Sequence, residues 1–422
     1  MNQYIHTPEG VRDIYGREYA ARLTVRRAIR SVFHQFGYQD IQTPSFEFFD
    51  IFSREKGSVL SREMYKFFDR DGETMVLRPD MTPAIARCAA KYFDEESMPL
   101  RLSYIENAFI NRTSLQGRLK EFTQAGVEFL GDGSPDADAE ILALAIRCLL
   151  ESGLTRFQIE VGHVGFLKGL LEEARLSEDV ENTILAFLEN KNFFGIEEQI
   201  SRCPFSEDLR ELFIRLPELF GPAEKISQAR TLTKNRRALE AIERLEQVYD
   251  VLCCYGLERY VSFDLGMAGR YRYYNGMIFK GYTYGSGEPV VTGGRYDHLM
   301  EQFGRRAQAV GFAIVLDSVM AALARQKIPV KCDWPQVMLV YPSGQHREAV
   351  TKAGQMRGQG QSVWLERIEA NKKAEESGGK EESPAESPRE AVFHAYQAKA
   401  KARGFRQLCL LWEDGSFSEV TL

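Results

Sequence analysis

The chain has 422 residues, of which 44% are hydrophobic and 27% charged, and its formal net charge is -6. That length asks for two or three domains, no apolar run is long enough to cross a bilayer, and the acidic balance removes long-range attraction to a polyanion. Seven cysteines without a C-x-x-C pair and six dispersed histidines argue against a zinc site or a disulfide frame. The first ten residues lack a basic patch followed by an apolar stretch, so a cytoplasmic protein without a secretory signal is expected.

Along the chain, Val25, Ile29, Val32 and Phe36 recur at helical spacing and Gly37 follows, which predicts an amphipathic helix over 18–36 with a left-handed stop. A β-like run at 39–42 meets Thr43-Pro44, and runs at 64–68 and 73–78 around Asp69-Arg70-Asp71-Gly72 read as a hairpin. Thr82 followed by Pro83 reads as a helix N-cap and first helical residue. Two long β-like runs, 100–110 and 119–130, flank a loop through Gly117.

Between about 165 and 256 the pattern turns helix-rich, like an insertion into the strand pattern, and strand signals return at 260–265, 273–282 and 289–292 before a helix over 315–326. His163, at the end of a strand-like run, reads as a structural histidine. Gly285, Gly287, Gly293 and Gly294 lie between strands rather than before a helix, so hairpin and close-packing roles are expected in place of a phosphate cradle. A small α/β unit follows Pro329, with strands near 337–340, 362–365 and 407–412 and helices near 347–356 and 389–402. Within it, about 370–388 is rich in Lys, Glu, Ser, Gly and Pro and predicts a mobile segment. The expected division is therefore a core over 1–328 and a small domain over 329–422.

Several segments, in order, resemble histidyl-tRNA synthetase and its paralogue, the regulatory subunit of ATP phosphoribosyltransferase. Phe36-Gly37-Tyr38 through Thr43-Pro44 resembles the first class II motif. Gly117-Arg118 with Glu121-Phe122-Thr123-Gln124-Ala125-Gly126-Val127-Glu128 resembles the second, and Val310-Gly311-Phe312-Ala313 the start of the third. Leu77-Arg78-Pro79-Asp80-Met81-Thr82-Pro83 is similar to the segment lining the amino-acid pocket, in wording nearer the regulatory paralogue. Tyr273-Tyr274-Asn275-Gly276 and Gly293-Gly294-Arg295-Tyr296-Asp297 match histidine-specific segments. The resemblance spans roughly the first 325 residues. It implies an α+β fold, a class II aminoacyl-tRNA synthetase-like antiparallel sheet flanked by helices, with a C-terminal α/β domain resembling an anticodon-binding domain.

By the same resemblance, Asp80, Thr82 and Gln124 sit where the family holds an α-ammonium, and Glu128, Tyr273, Tyr274 and Tyr296 sit at or near the imidazole. Taken singly, Tyr273 and Tyr274 also fit ordinary sheet aromatics, and Glu128 a solvated strand residue. The nucleotide half departs from the pattern: Ile110, Gly269 and Ser318 stand where the synthetase places arginines. Amino-acid activation gathers negative charge on the α-phosphate, and one lost cationic donor costs roughly a hundred- to a thousand-fold in rate. Arg270-Tyr271-Arg272 replaces the synthetase-type Gly-Leu-Asp, which reverses a charge near the pocket.

The resemblance therefore implies a regulatory subunit without catalysis or cofactor. It would assemble with the short-form catalytic phosphoribosyltransferase, pair with itself through the core, and take histidine as effector. The alternatives are an active histidyl-tRNA synthetase and a module binding tRNA or a translation factor; the acidic balance disfavours tRNA.

Overall fold

A computed structural model describes residues 5–53, 59–112, 119–203, 205–268, 273–332, 335–368 and 387–422. Two compact units are formed, one by Met1–Asp13 with Val25–Val330 and the other by Ile14–Thr24 with Lys331–Leu422. Among the described residues no helix is long and apolar enough to cross a membrane.

Helix α1 (Gly16–Gln35) ends before Gly37, whose φ of 80° is the left-handed stop expected from its sequence. Strands β1 (Gln39–Asp40) and β2 (Phe46–Phe48) and the single turn α2 (Asp50–Ser53) follow. The hairpin β3 (Lys66–Phe68) and β4 (Thr74–Leu77) joins β2 in a three-stranded sheet ordered β2-β4-β3. Next come α3 (Thr82–Tyr92), β5 (Leu100–Phe109), β6 (Glu121–Leu130), α4 (Pro135–Glu151) and β7 (Phe157–His163). The helix-rich stretch contains α5 (Val164–Ala174), α6 (Glu178–Glu189), α7 (Phe193–Ser201), α8 (Glu207–Arg215), the two-residue β8 (Phe220–Gly221), α9 (Glu224–Leu232) and α10 (Arg236–Cys254). The unit closes with β9 (Val261–Asp264), β10 (Met277–Thr283), β11 (Val291–Arg295), β12 (Ala309–Val315) and α11 (Leu316–Arg325).

Nine of these strands form one sheet in the order β1-β5-β6-β12-β11-β10-β7-β9-β8. From β5 to β7 every neighbouring pair is antiparallel, and the parallel pairs β1–β5 and β7–β9 lie outside that block. Alternation along β6 explains how the sheet has two unlike faces. Ala125, Val127 and Phe129 enter the main apolar cluster with α1, α4 and α10, while Gln124, Gly126 and Glu128 take the opposite face. Side chains from α5 to α10 belong to that same cluster, among them Phe166, Phe213 and Leu245. Each fully buried side chain of this kind contributes about 1.5–3 kcal/mol relative to exposure, which holds the helical layer on the sheet.

The second unit carries β13 (Val337–Tyr341), α12 (His346–Gly358), β14 (Val363–Arg367), α13 (Pro388–Ala402), β15 (Gln407–Leu411) and β16 (Phe417–Thr421), with sheet order β14-β13-β15-β16. Strand β16 is absent from the sequence expectation because its short run alternates between half-buried and exposed and carries little apolar signal. The expected mobile segment lies outside the described residues except at 387–388, and there the expectation is corrected. Ser387 accepts from the Glu390 N–H at 3.3 Å and the Glu390 carboxylate accepts from the Ser387 N–H at 2.9 Å, a capping box that starts α13.

Candidate functional site: a polar pocket on the open face of the sheet

The polar side of the alternation in β6 lines a small cleft of about 290 Å³ with residues from four other segments. Asp80 and Thr82 come from the start of α3, Gln124 from β6, Tyr273 and Tyr274 from the approach to β10, and Tyr296 from the end of β11. Six of the seven residues expected at the effector site therefore meet in one cavity. Tyr273 packs edge-on against both Tyr274 and Tyr296, at 4.8 and 5.8 Å between ring centroids, so the aromatic wall is continuous.

Glu128 is the exception. It stands behind the wall, 1% exposed, and touches the cavity through two hydroxyls: Thr82 donates to its Oε1 at 2.7 Å, and its Oε2 is hydrogen-bonded to the Tyr296 hydroxyl. It is therefore not a solvated strand residue. Burial pushes its carboxyl up to about 8, against the lowering effect of those two hydrogen bonds, with the Asp80 charge adding to the rise.

Thr82 corrects a second expectation. The N-cap position of α3 belongs to Met81, with helical backbone and no side-chain cap, because the Thr82 hydroxyl is committed to Glu128. Asp80 shapes the same turn, its Oδ1 accepting from the Met81 N–H at 2.8 Å while Oδ2 accepts from the Tyr273 hydroxyl at 3.4 Å. Gln124 is also buried, and its Oε1 has no hydrogen-bond partner among the described residues. A buried acceptor of this kind calls for a donor, and the cavity it borders gives one access.

Among the described residues that line the cavity, none is Lys or Arg. Ile110 is 6% exposed, its N–H bonded to the Lys120 carbonyl at 2.8 Å, and Ser318 lies half-buried in the first turn of α11. Gly269 lies outside the described residues, as do Arg270 and Arg272. Thr82 and its neighbours can accept hydrogen bonds, but the described lining supplies no guanidinium or ammonium to a phosphate chain.

Two supports of the pocket escaped the sequence reading. Arg78 is 1% exposed and spends its donors on the carbonyls of Asn107 (2.8 Å) and Thr43 (2.7 Å) and on the Glu106 carboxylate (2.9 Å), tying the segment before Asp80 to β5. Asp138 in α4 is wholly buried and paired with Arg295 and Arg244, both at 2.7 Å. Arg295 and Asp297, themselves paired at 3.1 Å, bracket Tyr296 and hold it in place. Motif order drew attention to Arg295; Asp138 and Arg244 carry no local sequence signal.

The remaining expectations concern packing. The His163 Nδ1 accepts from the Gly165 N–H at 3.1 Å and so caps α5, while burial and three nearby arginines bring its pKa down to about 4. A Cβ on Gly293 would fall 2.5 Å from the Phe279 ring, and one on Gly294 would fall 2.8 Å from the Met277 carbonyl. These two glycines let strands and side chains cross closely. A second, larger cleft of about 760 Å³, absent from the sequence reading, is lined by Glu160, Asp264, Lys191, Lys280, Phe220 and Tyr282 among others.

The histidyl-tRNA synthetase family model matches residues 10–319. The ATP phosphoribosyltransferase regulatory subunit of Acetivibrio thermocellus is 42% identical over 359 residues, covering 85% of this chain and 86% of that protein. Its counterpart in Thermoanaerobacter pseudethanolicus is 37% identical over 375 residues, 88% of this chain and 97% of that one. A solved structure described as an ATP phosphoribosyltransferase regulatory subunit/histidyl-tRNA synthetase from Bacillus halodurans C has a TM-score of 0.78 at 32% identity, covering 86% of this chain and 93% of the other. Histidyl-tRNA synthetase from Nostoc sp. PCC 7120 has a TM-score of 0.77 at 19% identity over 99% of this chain and 96% of its own, a likeness of fold alone. The α+β architecture is thus that of the class II synthetases.

Proposed function

The chain belongs to the family of ATP phosphoribosyltransferase regulatory subunits, homologues of histidyl-tRNA synthetase, and from that premise we propose that it is a non-catalytic subunit through which histidine controls the first step of histidine biosynthesis. Asp80, Thr82 and Gln124 take the α-ammonium, which offers donors only, while Tyr273, Tyr274 and Tyr296 surround the imidazole. Glu128 contributes from behind them. The observation that carries this reading is the make-up of the described cavity lining: the Gln124 acceptor, without a partner among the described residues, sits beside Asp80 and Thr82, and no described lining residue is Lys or Arg.

The partner is a short-form catalytic phosphoribosyltransferase, in the cytoplasm, with neither membrane nor tRNA as a target. Histidine favours one conformation of the assembly, and by reciprocity substrates that favour the other weaken histidine binding. The chain divides functionally into a synthetase-like core over 1–328, with helices inserted at about 165–256, and a small domain over 329–422. The core pairs with a second copy. Phe46, Phe48 and Phe67 support that pairing: they share one face of the three-stranded sheet and are 53, 51 and 38% exposed.

Copurification with a short-form phosphoribosyltransferase, followed by assay of the assembled enzyme with and without histidine, tests the proposal. Binding, with activity that falls as histidine is added, is the expected result. Failure to bind the partner or to alter its activity overturns the assignment, as does histidine-dependent exchange of pyrophosphate into ATP by this chain alone.

A further inference from the structure

Among the described residues, the groups around Glu128 include no cation. Its Oε1 accepts from Thr82, its Oε2 meets the Tyr296 hydroxyl, and on the neighbouring strand a Cβ at Gly311 would fall 2.1 Å from Oε2, so the carboxyl is seated against bare backbone. Among the described residues, the titratable groups that face it are Asp80 before α3, Tyr296 after β11 with Tyr104 of β5 and Tyr274 beyond it, and Tyr38 after α1. Each is neutral or negative at neutral pH. Among the described residues no Lys, Arg or His forms an ion pair with Glu128.

We propose that Glu128 is a positioning residue which keeps its proton and thereby sets the hydrogen-bond polarity of the Tyr296 hydroxyl that faces the ligand. The inference rests on the pocket being the histidine site. The Tyr296 hydroxyl donates to Oε2 when the carboxyl is ionised; in the neutral acid the carbonyl oxygen accepts the Thr82 proton and the same Oε2 contact can carry the acid proton to the Tyr296 oxygen. Thr82 donates to Glu128 in either state and so offers lone pairs to the cavity, which suits an ammonium. The Tyr296 proton is left free to donate, which suits the unprotonated nitrogen of a neutral imidazole. Ionisation of Glu128 turns the Tyr296 proton inward and reverses the polarity of that wall. The upward displacement of the carboxyl to about 8 by burial agrees with the geometry.

Two measurements on the full-length chain test the inference. The first is a carbon NMR titration of glutamate side-chain carboxyls in the ligand-free protein, with Glu128 assigned by its loss in Glu128→Gln. A midpoint near 8 is expected, and a midpoint in the ordinary glutamate range overturns the proposal. The second is histidine binding to wild type and Glu128→Gln. The amide can accept from Thr82 and donate to Tyr296, so affinity at neutral pH should stay within about threefold of wild type, and the ratio should shift in favour of the variant by roughly tenfold as pH rises past the Glu128 midpoint. A loss of more than about thirtyfold at neutral pH in a folded Glu128→Gln protein shows that the ligand uses a charged carboxylate, and overturns the proposal. If wild type binds no histidine while Glu128 titrates near 8, the effector reading fails and the protonated Glu128 stands.

Discussion

Asp138 and Arg295 form a buried ion pair at 2.7 Å, the carboxylate fully inaccessible and the guanidinium 5% exposed, directly beside the tyrosine that closes the pocket. The same carboxylate holds Arg244 of α10 at 2.7 Å, so one acid joins α4, the end of β11 and the helical layer. Replacing Asp138 by Ala removes the buried carboxylate that both arginines share and leaves Arg295 with Asp297 and the Asp132 carbonyl. The expected cost is about 3–5 kcal/mol, read as a fall in the urea midpoint with little change in slope. Asp138→Asn should lie between Asp138→Ala and wild type, because it keeps acceptor geometry and loses the charge.

Arg78 is a second fixed point, and lysine cannot take its place. A single ammonium reaches neither the spread of carbonyls at Thr43 and Asn107 nor the Glu106 carboxylate together. Arg78→Lys should lose roughly 2–4 kcal/mol in chemical denaturation. Histidine affinity should fall with it, because Asp80 and Thr82 follow in the same segment.

His163 gives the fold an acid-sensitive component. Its folded pKa, about 4, lies below the ordinary histidine value of 6.5, so the folded protein binds fewer protons than the unfolded chain between those limits. The associated stability is complete above the unfolded value and drains away as pH falls toward the folded one, by at most about 3 kcal/mol. His163→Asn keeps an acceptor for the Gly165 N–H. Its Tm should fall less than that of wild type between neutral pH and pH 4; equal falls would remove His163 as the cause.

Phe46 and Phe67 lie edge to face at 6.0 Å and remain accessible to solvent. If this face joins two copies, Phe48→Glu puts a charge into the contact. Sedimentation should then show dissociation to monomers, while the far-ultraviolet spectrum of the folded chain is unchanged. An undissociated Phe48→Glu protein would move the dimer contact elsewhere.

Local patterns were readable wherever one segment carries its own signal. The four apolar positions before Gly37 specify α1 and its stop, and the alternation of β6 specifies which residues face the helices. Motif order gathered Asp80, Thr82, Gln124, Tyr273, Tyr274 and Tyr296 before any geometry was known, and the cavity contains all six. The Asp138 network was not readable, because its partners lie 106 and 157 residues away and an isolated Asp in a helix looks solvated. Thr82 misled for the same reason: Thr-Pro is a good start for a helix, and only the approach of β6, 46 residues distant, diverts its hydroxyl.

The residue types at Ile110 and Ser318 are covalent facts, so that neither position carries a cation was legible in the order of amino acids and needed no coordinates. The protonation of Glu128 was not settled there. A carboxyl keeps or sheds its proton according to the free energy of charging it, and that depends on the water removed and the dipoles brought up by Thr82, Tyr296 and the bare backbone at Gly311. Those neighbours are assembled only when four separate parts of the chain pack on one face of the sheet.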